Sequence, residues 1–203
     1  MGAANKREPY EPYDDLRLYP GIHLGPLRRK ALDEDDIEPD ELSNEDIIYK
    51  LSRMVTGTMY SLLELVEERL GEEQTRDLMV EWGRRRAREN LRKWMSRRGL
   101  ERLTPELWAR FQDYRHLISG PVHAPSFIRY AGDSDLVLDR TGCLFHDGRP
   151  EGMNSYCGPA ADGMFAGYAE VCPELSSEHP ICKARGTSDS DHCQVRFSIK
   201  SGE

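Results

Sequence analysis

The sequence predicts an α+β fold in which long N-terminal helices pack on a small antiparallel sheet formed mainly by the C-terminal half. Three observations carry that prediction. Apolar residues recur at helical spacing from Ile47 to Met95. After Gly120-Pro121 the pattern turns to alternation, in Ser126-Phe-Ile-Arg-Tyr and again in Asp135-Leu-Val-Leu-Asp. A further helical stretch then precedes a cleanly alternating run, Cys193-Gln-Val-Arg-Phe-Ser-Ile. Helices first, then strands with one more helix, is the order of an α+β domain rather than of a repeating βα unit.

Taken in order, residues 1–42 read as an extended acidic, proline-rich arm, and residues 43–203 as a single domain. The arm holds Pro9, Pro12, Pro20, Pro26 and Pro39 and the run Asp33-Glu34-Asp35-Asp36. Proline fixes φ and removes a donor, so the segment suits neither a regular helix nor a central strand. Tyr10, Tyr13, Leu16, Leu18 and Tyr19 give it apolar groups to lay on the domain or on a neighbouring subunit.

A long helix follows, with Ser43 as N-cap and Glu45 and Asp46 at the positive end of the helix dipole. Its apolar stripe, expected to be buried, is Ile47, Ile48, Leu51, Met54, Val55, Met59, Leu62, Leu63, Val66 and Leu70, and Gly71 closes it. A second helix from about Glu72 to Arg98 buries Leu78, Met79, Trp82, Leu91, Trp94 and Met95 and ends at Gly99. Its arginines, Arg84 to Arg88 among them, lie beside acidic residues and suit a solvated, ion-paired face. A third helix spans Pro105 to His116, with Thr104 as N-cap and proline at the first helical position. A fourth is expected over Tyr156 to Glu170, although Gly158, Gly163 and Gly167 weaken it.

The whole-chain properties exclude several function classes. The chain has 203 residues and a formal net charge of −8. That balance disfavours a nucleic-acid partner, because phosphates need a basic face. No apolar run approaches the ~18 residues of a membrane span, so no membrane partner is expected. The N-terminus shows no apolar signal stretch, which makes the expected location cytoplasmic. The tyrosine-rich arm and the long apolar helix suggest a homo-oligomer. All five cysteines, Cys143, Cys157, Cys172, Cys182 and Cys193, lie in the last third of the chain. An odd number without a secretion signal points away from a disulfide framework and towards thiols, metal ligands or a nucleophile.

Three constellations offer chemistry. Arg140-Thr-Gly-Cys143 follows a strand, Tyr156-Cys157-Gly-Pro-Ala-Ala-Asp162 opens a helix, and a Gly186-to-Asp191 turn runs into His192-Cys193. Cys157 and Asp162 form the most suggestive pair. A thiol at a helix N-terminus is stabilised as thiolate by the dipole and the free N–H groups. Asp162 would then act as base or hold an amidinium. On a regular helix the two stand about 140° apart, so a shared pocket needs Cys157 to lie just before the first turn, as Pro159 suggests. The plainer reading makes Cys157 a small core residue and Asp162 a structural hydrogen-bond partner. Zinc is the other possibility, with Cys143-x-x-His146, Cys157 and His192-Cys193 as ligands from separate segments, although no C-x-x-C pair exists. Cys172 and Cys182, beside Pro173 and Pro180, read as packing cysteines in a loop. His116 and His123 flank Gly120-Pro121 and stand near a possible pocket.

The order of these motifs resembles the L-2-amino-thiazoline-4-carboxylic acid hydrolase-like family over roughly residues 44–199. The resemblance implies a hydrolase that opens a carbon–nitrogen bond in a small carboxylated heterocycle, with no cofactor. It implies Cys157 and Asp162 as catalytic residues and Cys143 and Cys193 as further polar positions of the site. Beside the resemblance, Arg129 or Arg140 would clamp the substrate carboxylate, and His123 is a further substrate-binding candidate. The Gly-Asp turn leading to a Cys-bearing strand is also similar to small-molecule-binding domains of the vinyl-reductase type. That second likeness implies a ligand sensor without turnover.

Overall fold

The computed structural model describes residues 31–32, 41–118, 126–130, 134–141, 149–182 and 192–200. It is an α+β structure. Among the described residues the helices α1 (Asn44–Leu70), α2 (Glu72–Ser96), α3 (Pro105–Ile118) and α4 (Cys157–Ala169) accompany the strands β1 (Ser126–Tyr130), β2 (Asp135–Thr141), β3 (Leu175–Ile181) and β4 (His192–Ile199). The strands form one antiparallel sheet in the order β1-β2-β4-β3. Among the described residues no helix is long and apolar enough to cross a membrane.

The helix ends follow their cap residues. Asp46 N–H donates to Ser43 Oγ (3.2 Å) and Ser43 N–H to Asp46 Oδ2 (2.9 Å), a reciprocal capping box. Gly71, at φ 80°, ends α1 and turns the chain straight into α2. Gly99, at φ 62°, follows α2, and Leu100 N–H reaches back to Met95 O at 3.1 Å. Leu107 N–H donates to Thr104 Oγ1 at 3.2 Å.

The core lies between the sheet and α2, α3 and α4. Trp108 is its centre, with ring centroids 4.9 Å from Tyr168, 5.1 Å from Phe197 and 5.3 Å from Phe111. The contacts with Tyr168 and Phe197 are edge-to-face and that with Phe111 is tilted, and such contacts add to the burial of the rings. Leu136 and Leu138 of β2 and Val195, Phe197 and Ile199 of β4 complete it.

Glycine explains how close α2 and α4 come. A Cβ built on Gly163 would lie 1.9 Å from Val80 O, one on Gly167 2.2 Å from Arg84 O, and one on Gly83 2.2 Å from Ala160 O. The glycines that weaken α4 as an isolated helix are therefore what its packing requires. Three arginines of α2 are ion-paired, as their acidic neighbours predict. Arg84 and Arg88 converge on Glu170 just beyond α4, and Arg85 pairs with Glu81.

Three expectations are corrected. Most of the expected apolar stripe of α1 is not its buried face: Ile47, Leu51, Met54, Val55, Leu62 and Leu70 are exposed and Ile48, Met59 and Val66 half-buried, while Leu63 of the stripe is buried with Tyr49, Ser52, Thr56 and Tyr60. The buried hydroxyls are satisfied locally. Ser52 Oγ donates to Ile48 O and Thr56 Oγ1 to Ser52 O, so small polar residues can face inward without losing a partner. On α2, Leu78 and Trp82 are likewise exposed. Finally, residues 175–181 form β3, where a loop was expected.

Of the arm, Leu32 is buried and packs with Tyr49 and Leu42. Tyr10, Tyr13, Leu16, Leu18 and Tyr19 lie outside the described residues.

Candidate metal centre

The sheet's edge brings together three ligating side chains that are remote in sequence character. β4 alternates, placing Cys193, Val195, Phe197 and Ile199 on the buried face. β3 pairs with β4 as the edge strand, with Leu175 opposite Ile199 and Ser177 opposite Phe197, so odd-numbered β3 residues share that face. His179 is therefore directed to the same side as Cys193, and its ring stands 6.2 Å from that of Phe165 on α4.

The register then shifts. Glu178 is opposite Arg196, but Ile181 is opposite Gln194, so three steps along β3 answer two along β4. The extra residue is a bulge, and Pro180, which cannot donate to the ladder, falls within it. A one-residue slip exchanges the two faces of a strand. Cys182 thereby turns to the buried side alongside His179, although it lies three positions further along the strand.

The result is a compact group. The ligand atoms of His179, Cys182 and Cys193 all lie within 4.8 Å of one another, and the two thiols are buried. His179 Nε2 is 3.0 Å from Cys193 Sγ. Tetrahedral zinc, with Zn–S near 2.3 Å and Zn–N near 2.0 Å, sets its ligand atoms roughly 3.5–3.8 Å apart, a spacing this group can reach by small rotations. Two thiolates and an imidazole form a soft donor set that suits zinc above magnesium or calcium. His179 Nδ1 is also buried with no hydrogen-bond partner. An unmade bond of that kind costs about 1–3 kcal/mol, which ligation or a reoriented ring would remove.

The other candidate residues are placed as follows. Cys157 is the first residue of α4, half-buried behind the N-cap Tyr156. Asp162 is on the same helix and exposed. Because Cys157 is already helical, the two stand about 140° apart around the axis, and α4 does not turn them to one side. Arg140 is opposite Cys193 in the β2–β4 register. Cys143, His123 and His146 lie outside the described residues, as does the Gly186-to-Asp191 turn. Cys172 is buried, and burial, followed by its hydrogen bond to Glu174, pushes its thiol up to about 12. It is a packing residue, as expected. His179 and Cys182 were not among the candidates. The available signal was the spacing His-x-x-Cys eleven residues ahead of another cysteine.

A buried polar group also joins α1 to the segment before α4. Tyr156 donates its hydroxyl to Glu67, whose other oxygen accepts from Asn154 Nδ2 at 2.7 Å. Burial first, and then the Glu67 carboxylate, raise the Tyr156 phenol well above its ordinary value.

No family model matches the chain, and no curated protein matches it. Among solved structures it is similar to a trafficking protein particle complex subunit 3 from Naegleria fowleri covalently bound to palmitic acid. The two are 15% identical with a TM-score of 0.44, over 74% of this chain and 95% of that one.

Proposed function

We propose that this chain is a zinc-binding protein in which His179, Cys182 and Cys193 hold the ion and lock the β3–β4 hairpin onto the core. The observation that carries the reading is the convergence of three ligand atoms within 4.8 Å on the buried face of an edge strand. Ligation there ties the two sides of the connection between Cys182 and Cys193 at its base. Thiolates must lose their protons to bind, so affinity rises with pH and metal uptake releases protons.

The test is metal analysis of the full chain purified under reducing conditions, with cobalt(II) substitution as a second readout. About one zinc per chain is expected, and the cobalt form should show thiolate-to-metal charge transfer. Cys193→Ser and Cys182→Ser should each abolish that band, whereas Cys157→Ser should leave it intact. Metal at background level in the reduced, folded protein would overturn the proposal.

A second reading keeps the hydrolase suggested by the resemblance. It is favoured by the position of Cys157 at the first turn of a 13-residue helix, where the dipole supports a thiolate. Fast alkylation of Cys157 at neutral pH, with loss of a ring-opening activity in Cys157→Ser, would support it. Alkylation no faster than that of an ordinary exposed thiol would remove it.

A further inference from the structure

The outward face of α1 is the largest feature that neither reading uses. Ile47, Leu51, Met54, Leu62 and Leu65 fall within about 80° of one another on the helix, opposite the buried face. Leu62 is 60% exposed, Leu65 57% and Met54 61%. Single exposed apolar residues are ordinary, but a continuous row of them marks an interaction surface. At its N-terminal end the row borders an open groove of about 620 Å³, floored by Leu32 and Leu42 and edged by Lys50 and Gly57.

Charge selects the occupant. One flank of the row carries Lys50 and Arg53 in the first half of the helix and Glu64 and Glu68 in the second half. Gly57 and Ser61 separate them, and a Cβ on Gly57 would meet nothing within 4 Å. A parallel two-fold neighbour would set this flank beside the opposite one, which carries Ile48, Val55 and Val66, and would leave the charges unmatched. An antiparallel one, related by a two-fold axis, brings the basic half against the acidic half on the same flank, twice.

We propose that this chain forms a two-fold dimer through antiparallel α1 helices crossing near Thr58. In that register Leu51 meets Leu65 of the second copy, and Met54 meets its Leu62. Leu62 and Leu65 of the second copy enter the groove beside Met54 and Leu51. Arg53 comes beside the second copy's Glu64, and Lys50 beside its Glu68. Ile47, Leu51 and Met54 are four and three residues apart and Leu62 and Leu65 three, with Thr58 at the crossing four residues from Met54 and from Leu62, which is the spacing of a paired-helix seam.

Sedimentation equilibrium of the full chain tests the proposal. The expected mass is about twice the 23.3 kDa of one chain. Arg53→Glu and Glu64→Arg should each raise the dissociation constant about tenfold or more, since every substitution enters a two-fold interface twice. The double variant Arg53→Glu/Glu64→Arg should restore it. Leu62→Glu, at an exposed position, should give monomers with an unchanged circular dichroism spectrum. A monomeric full chain would overturn the proposal, including the case in which the chain's own residues 1–30 cover the row. So would a dimer that Leu62→Glu leaves intact, or a double variant no tighter than the singles.

Discussion

Gly163→Ala tests the α2–α4 packing directly, because two effects predict opposite signs. Helix propensity alone favours alanine by about 1 kcal/mol at an interior position. The structure predicts a net loss. The new Cβ would lie 1.9 Å from Val80 O, 2.7 Å from Val80 C and 3.0 Å from Arg84 N. Ordinary contact needs ~3.5 Å, so relief requires a shift of about 1.6 Å. All three obstructing atoms are backbone of a second helix, which cannot rotate away as a side chain would. Moving α4 outward also strains the Arg84–Glu170 pairing and loosens Ala87 against Gly167. Overpacking costs 1–3 kcal/mol in general, and a rigid obstacle places this case at the upper end. After the propensity gain is subtracted, the net destabilisation is about 2 kcal/mol. In a chain of this size that lowers the melting temperature by roughly 4–8 °C. Urea and thermal unfolding of Gly163→Ala beside the parent measure it. A variant as stable as the parent, or more so, would refute the close-approach argument.

Two further expectations concern the cysteines and the bulge. Cys172 is sealed in the core with its thiol pushed up to about 12, so it should resist alkylation at neutral pH until urea unfolds the chain, while Cys157 reacts in the folded state. Its folded value is raised, so its contribution to stability is complete below the unfolded value near 9 and is lost as pH climbs towards 12. Unfolding midpoints that fall across that alkaline window in the parent and stay flatter in Cys172→Ala would agree; identical profiles would not. Inserting one alanine between Ile181 and Cys182 adds a residue beyond the bulge of β3 and should turn Cys182 away from Cys193. Zinc stoichiometry and the cobalt charge-transfer band should then be lost with every ligand type still present. Retention of both would show that the bulge does not set the site.

The parts of the fold written in local chemistry were legible. Ser43, Gly71, Gly99 and Thr104 each end or begin a helix where their side chains or φ values dictate. Strands form where the alternating runs were, and β4 alternates as a half-buried strand does, although Leu136, Val137 and Leu138 of β2 are all buried. What local chemistry does not state is which apolar face is covered. In α1 the apolar row is the exposed side, and the buried side includes Ser52 and Thr56, whose hydroxyls bond to carbonyls four residues back. Periodicity reports a face, and only the neighbouring elements decide whether it points to the core. The glycines of α4 illustrate the same point: as an isolated helix they read as weakness, and against Val80 and Arg84 they are a steric requirement.

The metal-ligand group was hidden for a related reason. Leu175-Ser-Ser-Glu-His-Pro-Ile is polar and carries a proline, which speaks against a strand in the interior of a sheet. At an edge with a bulge both objections disappear, because Pro180 has no ladder bond to make and Ser176 and Glu178 face outward. Once β3 exists, its bulge converts the three-residue spacing of His179 and Cys182 into a shared face, and pairing with β4 supplies Cys193. The expected ligand set was assembled from local pairs, Cys143-x-x-His146 and the adjacent His192 and Cys193. Neighbours in a strand point to opposite faces. His192 and Cys193 are both in β4, so that pairing asked one strand to direct consecutive residues at a single ion. The three-residue group asks only for one irregularity, and the register of β3 against β4 contains it.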